Sequence, residues 1–88
     1  MSSPAYTVTL NRPAQKEIRA LDAGVRLRVI EELRALAGEP RPPGCRKLVG
    51  ARNRWRVRVG DYRVIYTIED ADRAVQIVAV RHRSKAYE

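Results

Sequence analysis

Arg54, Arg56 and Arg58 recur at two-residue spacing, and Arg63 follows across Gly60-Asp61. Side chains two apart in a strand share a side, so this spacing predicts guanidinium groups gathered on one surface. A guanidinium stays charged at any accessible pH and offers a planar fork that matches phosphate. The chemistry open to such a cluster is anion binding and the stabilisation of charge that builds on a reacting phosphate. A second group closes the chain: Arg81, His82, Arg83 and Tyr87. His82 can exchange a proton near neutrality, although a lone histidine is more often structural. Tyr87 can donate a proton or stack on a nucleobase; it can equally plug the edge of a core.

The register that would bring these groups together can be worked out from one loop. Gly60-Asp61 reads as a two-residue hairpin connection, with glycine first as a type II′ turn favours. Val59 then pairs with Tyr62, Arg58 with Arg63, Val57 with Val64, Arg56 with Ile65 and Trp55 with Tyr66. Trp55, Val57, Val59, Tyr62, Val64 and Tyr66 fall on one face, to be covered by helices. Arg54, Arg56, Arg58 and Arg63 fall on the other. Like charges placed opposite one another are destabilising, and an incoming phosphate would reverse that repulsion; the alternative is an ordinary solvated face. Arg81 joins Arg63 only if the paired numbers sum to an even value, 144 when they face directly. That requires an odd-length loop before the last strand, such as Ala71-Asp72-Arg73, or a bulge. A regular two- or four-residue loop sends Arg81 into the core.

The elements that must hold these residues are legible in the pattern. Tyr6 to Leu10 alternates as a first strand. Asn11 is a good N-cap and Pro13 suits a first helical turn, with Ala14, Ile18 and Leu21 following at helical spacing. Asp22 can cap a second helix, whose stripe is Val25, Val29, Leu33 and Leu36, flanked by Ile30 and Ala37. Gly38 stops it, and Glu39-Pro-Arg-Pro-Pro-Gly44 is a loop. Arg46 to Val49, Trp55 to Val59, Tyr62 to Glu69 and Ala74 to Arg81 read as strands. The expectation is one α+β domain over residues 1–88: a mainly antiparallel sheet with an N-terminal helical hairpin on one face, in the order β-α-α-β-β-β-β.

Composition narrows the partner. Eighteen Lys+Arg against ten Asp+Glu give a net charge of +8 over 88 residues, and every basic residue except Lys16, Lys47 and Lys85 is arginine. Such an excess repels itself in the compact state and points to an anionic partner; RNA is the expected one. Cys45 and His82 are the single cysteine and histidine, so neither a disulfide nor the usual zinc layouts are expected, and no cofactor is implied. No apolar run reaches the ~18 residues of a membrane span, and the cytoplasm is the expected compartment.

The layout β-α-α-β-β-β-β resembles the RelE/ParE toxin superfamily, and especially its RelE-type mRNA interferases. So do the run Lys47-Leu48-Val49-Gly50, the hairpin Trp55-Arg-Val-Arg-Val-Gly-Asp-Tyr-Arg-Val-Ile-Tyr66 and the tail Val80-Arg-His-Arg-Ser-Lys-Ala-Tyr87. The likeness covers nearly the whole chain. It implies a toxin that cleaves messenger RNA, typically in the ribosomal decoding site, and that a cognate antitoxin silences in a hetero-oligomer through an acidic or amphipathic segment. It implies basic site residues at Arg56, Arg58 and Arg63, a strand-end arginine at Arg81 with Arg83 as the alternative, and a tyrosine at Tyr87. Some relatives carry lysine where this chain has Arg56 and Arg58. A lysine can lose its proton in a basic site and an arginine cannot; if Arg56 and Arg58 only stabilise charge, another group must activate the 2′-hydroxyl, with His82 or Tyr87 the candidate.

The implied reaction is metal-independent. The 2′-hydroxyl attacks the adjacent phosphorus, leaving a 2′,3′-cyclic phosphate and a free 5′-hydroxyl. Arg58, Arg63 and Arg81 would stabilise the phosphorane, while Arg54, Arg56, Lys47 and Arg83 would grip RNA. The same fold also serves ParE-type inhibitors of DNA gyrase and could serve a plain RNA-binding module, since fold alone does not fix function.

Overall fold

The computed structural model describes residues 5–85. The elements run β1 (Thr7–Leu10), α1 (Arg12–Arg19), α2 (Ala23–Gly38), β2 (Arg46–Lys47), β3 (Arg54–Val59), β4 (Tyr62–Glu69), β5 (Ala74–His82) and a 3-10 turn, Arg83–Lys85. The Asn11 side chain accepts from the Ala14 N–H at 2.9 Å, so α1 starts where the cap and Pro13 direct it. Asp22 stands at the N-cap of α2 but makes no capping hydrogen bond through its side chain, contrary to the expectation. The corner between the helices is held from the other side. Arg26 donates to the carbonyls of Ile18, Arg19 and Leu21 at 3.3, 3.3 and 2.8 Å, tying α2 to the end of α1 and to the corner that follows it.

The five strands form one sheet in the order β1-β5-β4-β3-β2. β1 runs parallel to β5, and the other neighbours are antiparallel. The β3–β4 hairpin has the register derived from Gly60-Asp61, and Gly60 has φ +58°, as the tight turn demands. Ile18, Val29, Leu33 and Leu36 from the helices meet Val57, Val64, Tyr66 and Ile77 from the sheet in a single core. Helices therefore cover one face only, and the arginine face is left open.

Between β4 and β5 the loop is residues 70–73, four long, because Glu69 pairs with Ala74. A four-residue loop alone would have put Arg81 in the core. The ladder continues to Tyr66 with Ile77 and then steps to Ile65 with Ala79, so Val78 is an extra residue without a partner. This β-bulge restores the even sum, and Arg63 pairs with Arg81.

The loop before β2 is pinned to the β4–β5 turn. Arg41 makes a two-pronged ion pair with Asp70 at 3.2 and 2.9 Å and lies 4.8 Å over the Trp55 ring. The Tyr6 hydroxyl also donates to Asp70, at 2.7 Å. The two donors, Arg41 first, hold the Asp70 carboxyl below its ordinary range. Among the described residues no helix is long and apolar enough to cross a membrane.

Candidate functional site

Strand pairing places Arg58, Arg63 and Arg81 in one row across β3, β4 and β5. Directly opposed residues have Cβ atoms roughly 5 Å apart, so three cationic side chains leave the backbone as close neighbours. The next row holds Arg46, Arg56, Ile65 and Ala79, and Arg54 follows Arg56 on the same face. A cleft of about 580 Å³ opens over Arg58 and Arg63 of the first row, lined by these two and Arg83 with the Gly60-Asp61 loop, Tyr62 and Ser84. Arg83 reaches it because the 3-10 turn is tied down: the Arg83 backbone N–H donates to the Asp61 carbonyl at 2.8 Å. A second cleft, of about 360 Å³, is lined by Arg46, Arg56, Arg58, Pro43 and Gly44. Arg58 stands between the two.

The positive charge of this face is largely uncompensated. Among the described residues no carboxylate lies within ion-pair distance of Arg46, Arg54, Arg56, Arg58, Arg63 or Arg83. Burial, and then the charges of Arg58, Arg63 and Arg46, lower the affinity of Arg56 for its proton. It remains a cation at neutral pH, so the shift reflects burial first and repulsion second, and offers no base. The Arg63 Nε–H is buried with no hydrogen-bond partner among the described residues. A charged donor left in that state is costly, and an anion in the cleft would offset the repulsion among the guanidinium groups.

Arg81 shares the row by its backbone, while its Nε donates to Glu17 of α1 at 3.3 Å. Glu17 also accepts the Val80 N–H at 2.7 Å. Two of the expected site residues that the structure describes are not gathered here. Lys47 pairs with Trp55 and therefore lies on the helix-covered side, its ammonium 6.0 Å from the indole centroid. His82 pairs with Tyr62, also away from the arginine row. Its ring meets Tyr62 edge-on at 5.3 Å, and its Nδ1 accepts the Ser84 N–H at 3.2 Å, with the Ser84 hydroxyl 2.9 Å away. That contact leaves the proton of the neutral ring on Nε2. Tyr87 lies outside the described residues. Tyr66, fully buried with its hydroxyl on the Pro40 carbonyl at 2.8 Å, has its pKa raised by burial and is structural.

Arg46 is the residue that sequence reasoning missed. Its place depends on the parity of the β2–β3 connection, residues 48–53, whose geometry includes Asn53 at φ +55° and Gly50 at φ +78°. The single available signal was an arginine in the strand next to Arg56. Among the described residues no group of three or more His, Cys, Asp or Glu side chains could hold a metal ion.

A family model, the ParE toxin of the parDE type II toxin–antitoxin system, matches residues 8–87. No curated protein matches by sequence. Solved structures do. A chain of the archaeal RelE–RelB complex from Pyrococcus horikoshii OT3 is 30% identical, with a TM-score of 0.80 and coverage of 92% of this chain and 98% of that one. A chain of the RelBE2 toxin–antitoxin complex from Mycobacterium tuberculosis is 28% identical, with a TM-score of 0.78, covering 92% and 94%. A chain of the intact E. coli RelBE complex is 26% identical, with a TM-score of 0.78, covering 89% and 96%.

Proposed function

From a chain that belongs to the ParE toxin family, within the RelE/ParE toxins of type II toxin–antitoxin systems, we propose an endoribonuclease that cuts messenger RNA and so stops translation. The observation that carries this reading is the row Arg58, Arg63 and Arg81, with Arg83 lining the cleft over Arg58 and Arg63. A surface that only docks on a folded protein has no chemical need for Arg58, Arg63 and Arg83 around one cleft, with Arg81 next in the row. A pentacoordinate phosphorane, with its extra negative charge, does.

In the proposed reaction the scissile phosphate lies over Arg58 and Arg63. The 2′-oxygen bonds to phosphorus as the bond from phosphorus to the 5′-oxygen breaks, giving the cyclic phosphate and a 5′-hydroxyl. The 2′-hydroxyl proton leaves and the departing 5′-oxygen takes one up. Arg58, Arg63 and Arg81 stabilise the charge, and Arg83 fixes the phosphate from the 3-10 turn. Tyr87 is the proposed proton-transfer group, because His82 faces the other way. Arg46, Arg54 and Arg56 extend the grip along the RNA backbone; Lys47 is outside this set. The partners are messenger RNA on the ribosome and a cognate antitoxin, the latter in keeping with the toxin–antitoxin complexes among the similar structures.

The test is translation in an extract with the purified toxin, followed by primer extension along the message. Discrete ends inside codons are the expected result. The family model's ParE name favours a second reading, inhibition of DNA gyrase without cleavage. Intact message together with blocked supercoiling would select it.

A further inference from the structure

The arginine row meets one carboxylate among the described residues, and it comes from the opposite layer of the fold. β1 ends at Leu10, which pairs with Ile77, so the outer edge of β5 beyond that point has no strand beside it. Val80 N–H faces this edge and needs an acceptor. Glu17 on α1 supplies it with Oε1 at 2.7 Å and spans to Arg81 Nε with Oε2 at 3.3 Å. One carboxylate thus bonds the backbone of residue 80 and the guanidinium of residue 81.

We infer that Glu17 is the positioning residue for Arg81 in RNA cleavage, an inference that rests on the proposed endoribonuclease reading. A guanidinium at the end of a long side chain samples many orientations. A carboxylate that is itself fixed to the strand holds Nε and so sets the plane of the whole group. Binding at Nε leaves the contribution of the terminal amino groups unhindered by Glu17. The negative charge also offsets the repulsion that Arg63 exerts on Arg81 across the pair, which otherwise drives the two apart. That same charge opposes the attraction of RNA, so the benefit must lie in the geometry of the chemical step and not in affinity.

Glu17→Gln separates these roles, since the amide oxygen still accepts the Val80 N–H while the charged acceptor at Arg81 is lost. Its thermal midpoint should match the parent's. Single-turnover cleavage of message on programmed ribosomes should fall about tenfold, short of the ~10²-fold that a misplaced group can cost. Affinity for an RNA with a 2′-deoxy residue at the cleavage position should be unchanged or tighter. In an Arg81→Ala background, Glu17→Gln should slow cleavage no further. Glu17→Asp keeps the charge but lacks the reach for both contacts, so it should be slowed as well. Parent-like cleavage in Glu17→Asp, an unchanged rate in Glu17→Gln, or equal slowing with and without Arg81 overturns the inference. A parent that cuts no message removes the endoribonuclease reading first, and the inference with it.

Discussion

Arg63 stands directly across from Arg81 because Val78 drops out of the ladder between β4 and β5. Without that bulge the four-residue loop at 70–73 would pair Arg63 with Val80 and turn Arg81 into the apolar core. The pairing at the site therefore depends on Val78 being left out of the ladder.

Deleting Val78 should leave a regular ladder in which Ile77 is followed by Ala79 and the Arg63–Arg81 pairing survives. The variant should fold, with a stability loss within about 1–2 kcal/mol for a change of this kind, and should keep its activity. Inserting a second residue after Val78 should instead abolish cleavage. Cross-strand Cα proton contacts between residues 63 and 81, measured by NMR beside the cleavage assay, check both outcomes.

Arg63→Ala removes the central member of the row. Losing one preorganised donor to a transition state costs ~10²–10³ in rate, and a drop of that size is expected with the circular dichroism spectrum unchanged. Arg63 lies on the face opposite the helices and outside the apolar core, so the fold should hold. Message cut by the folded variant as fast as by the parent means that the site has been misassigned.

His82 and Tyr87 should behave in opposite ways. His82→Gln alters a ring that faces Tyr62 and Ser84, so cleavage should stay within a few-fold of the parent, as for changes away from the reacting groups. Tyr87→Phe keeps the ring for stacking and deletes the hydroxyl. A loss of ~10²–10⁴, the usual worth of general acid–base help, assigns proton transfer to Tyr87. A mild effect leaves it with stacking alone.

Antitoxin binding should respond to salt. The open face carries Arg46, Arg54, Arg56, Arg58, Arg63 and Arg83 without carboxylate partners among the described residues, so an acidic segment should be steered onto it. The association rate should fall by roughly tenfold or more as ionic strength rises tenfold, because steering of this kind accelerates encounter by 10–10³. Stopped-flow rates that stay flat across that range argue against an electrostatic cover.

The sequence by itself determined the hairpin and its faces. Alternation has a period of two and Gly60-Asp61 admits one tight turn, so the pairing of Arg58 with Arg63 and the burial of Val57, Val64 and Tyr66 follow from local rules. The two helices were equally legible in the Asn11 cap and the stripe of Val29, Leu33 and Leu36. Tertiary structure decided what counting residues could not. Whether four loop residues and nine strand residues hide a bulge depends on packing Val75, Ile77 and Val80 together under the helices, which absorbs the surplus at Val78. The same dependence on parity sent Lys47 and His82 to the covered side and brought Arg46 to the open one. Glu17 was invisible in the sequence as a partner of Arg81, because 64 residues separate them. Only the docking of α1 on the unpaired edge of β5 brings a carboxylate to that guanidinium.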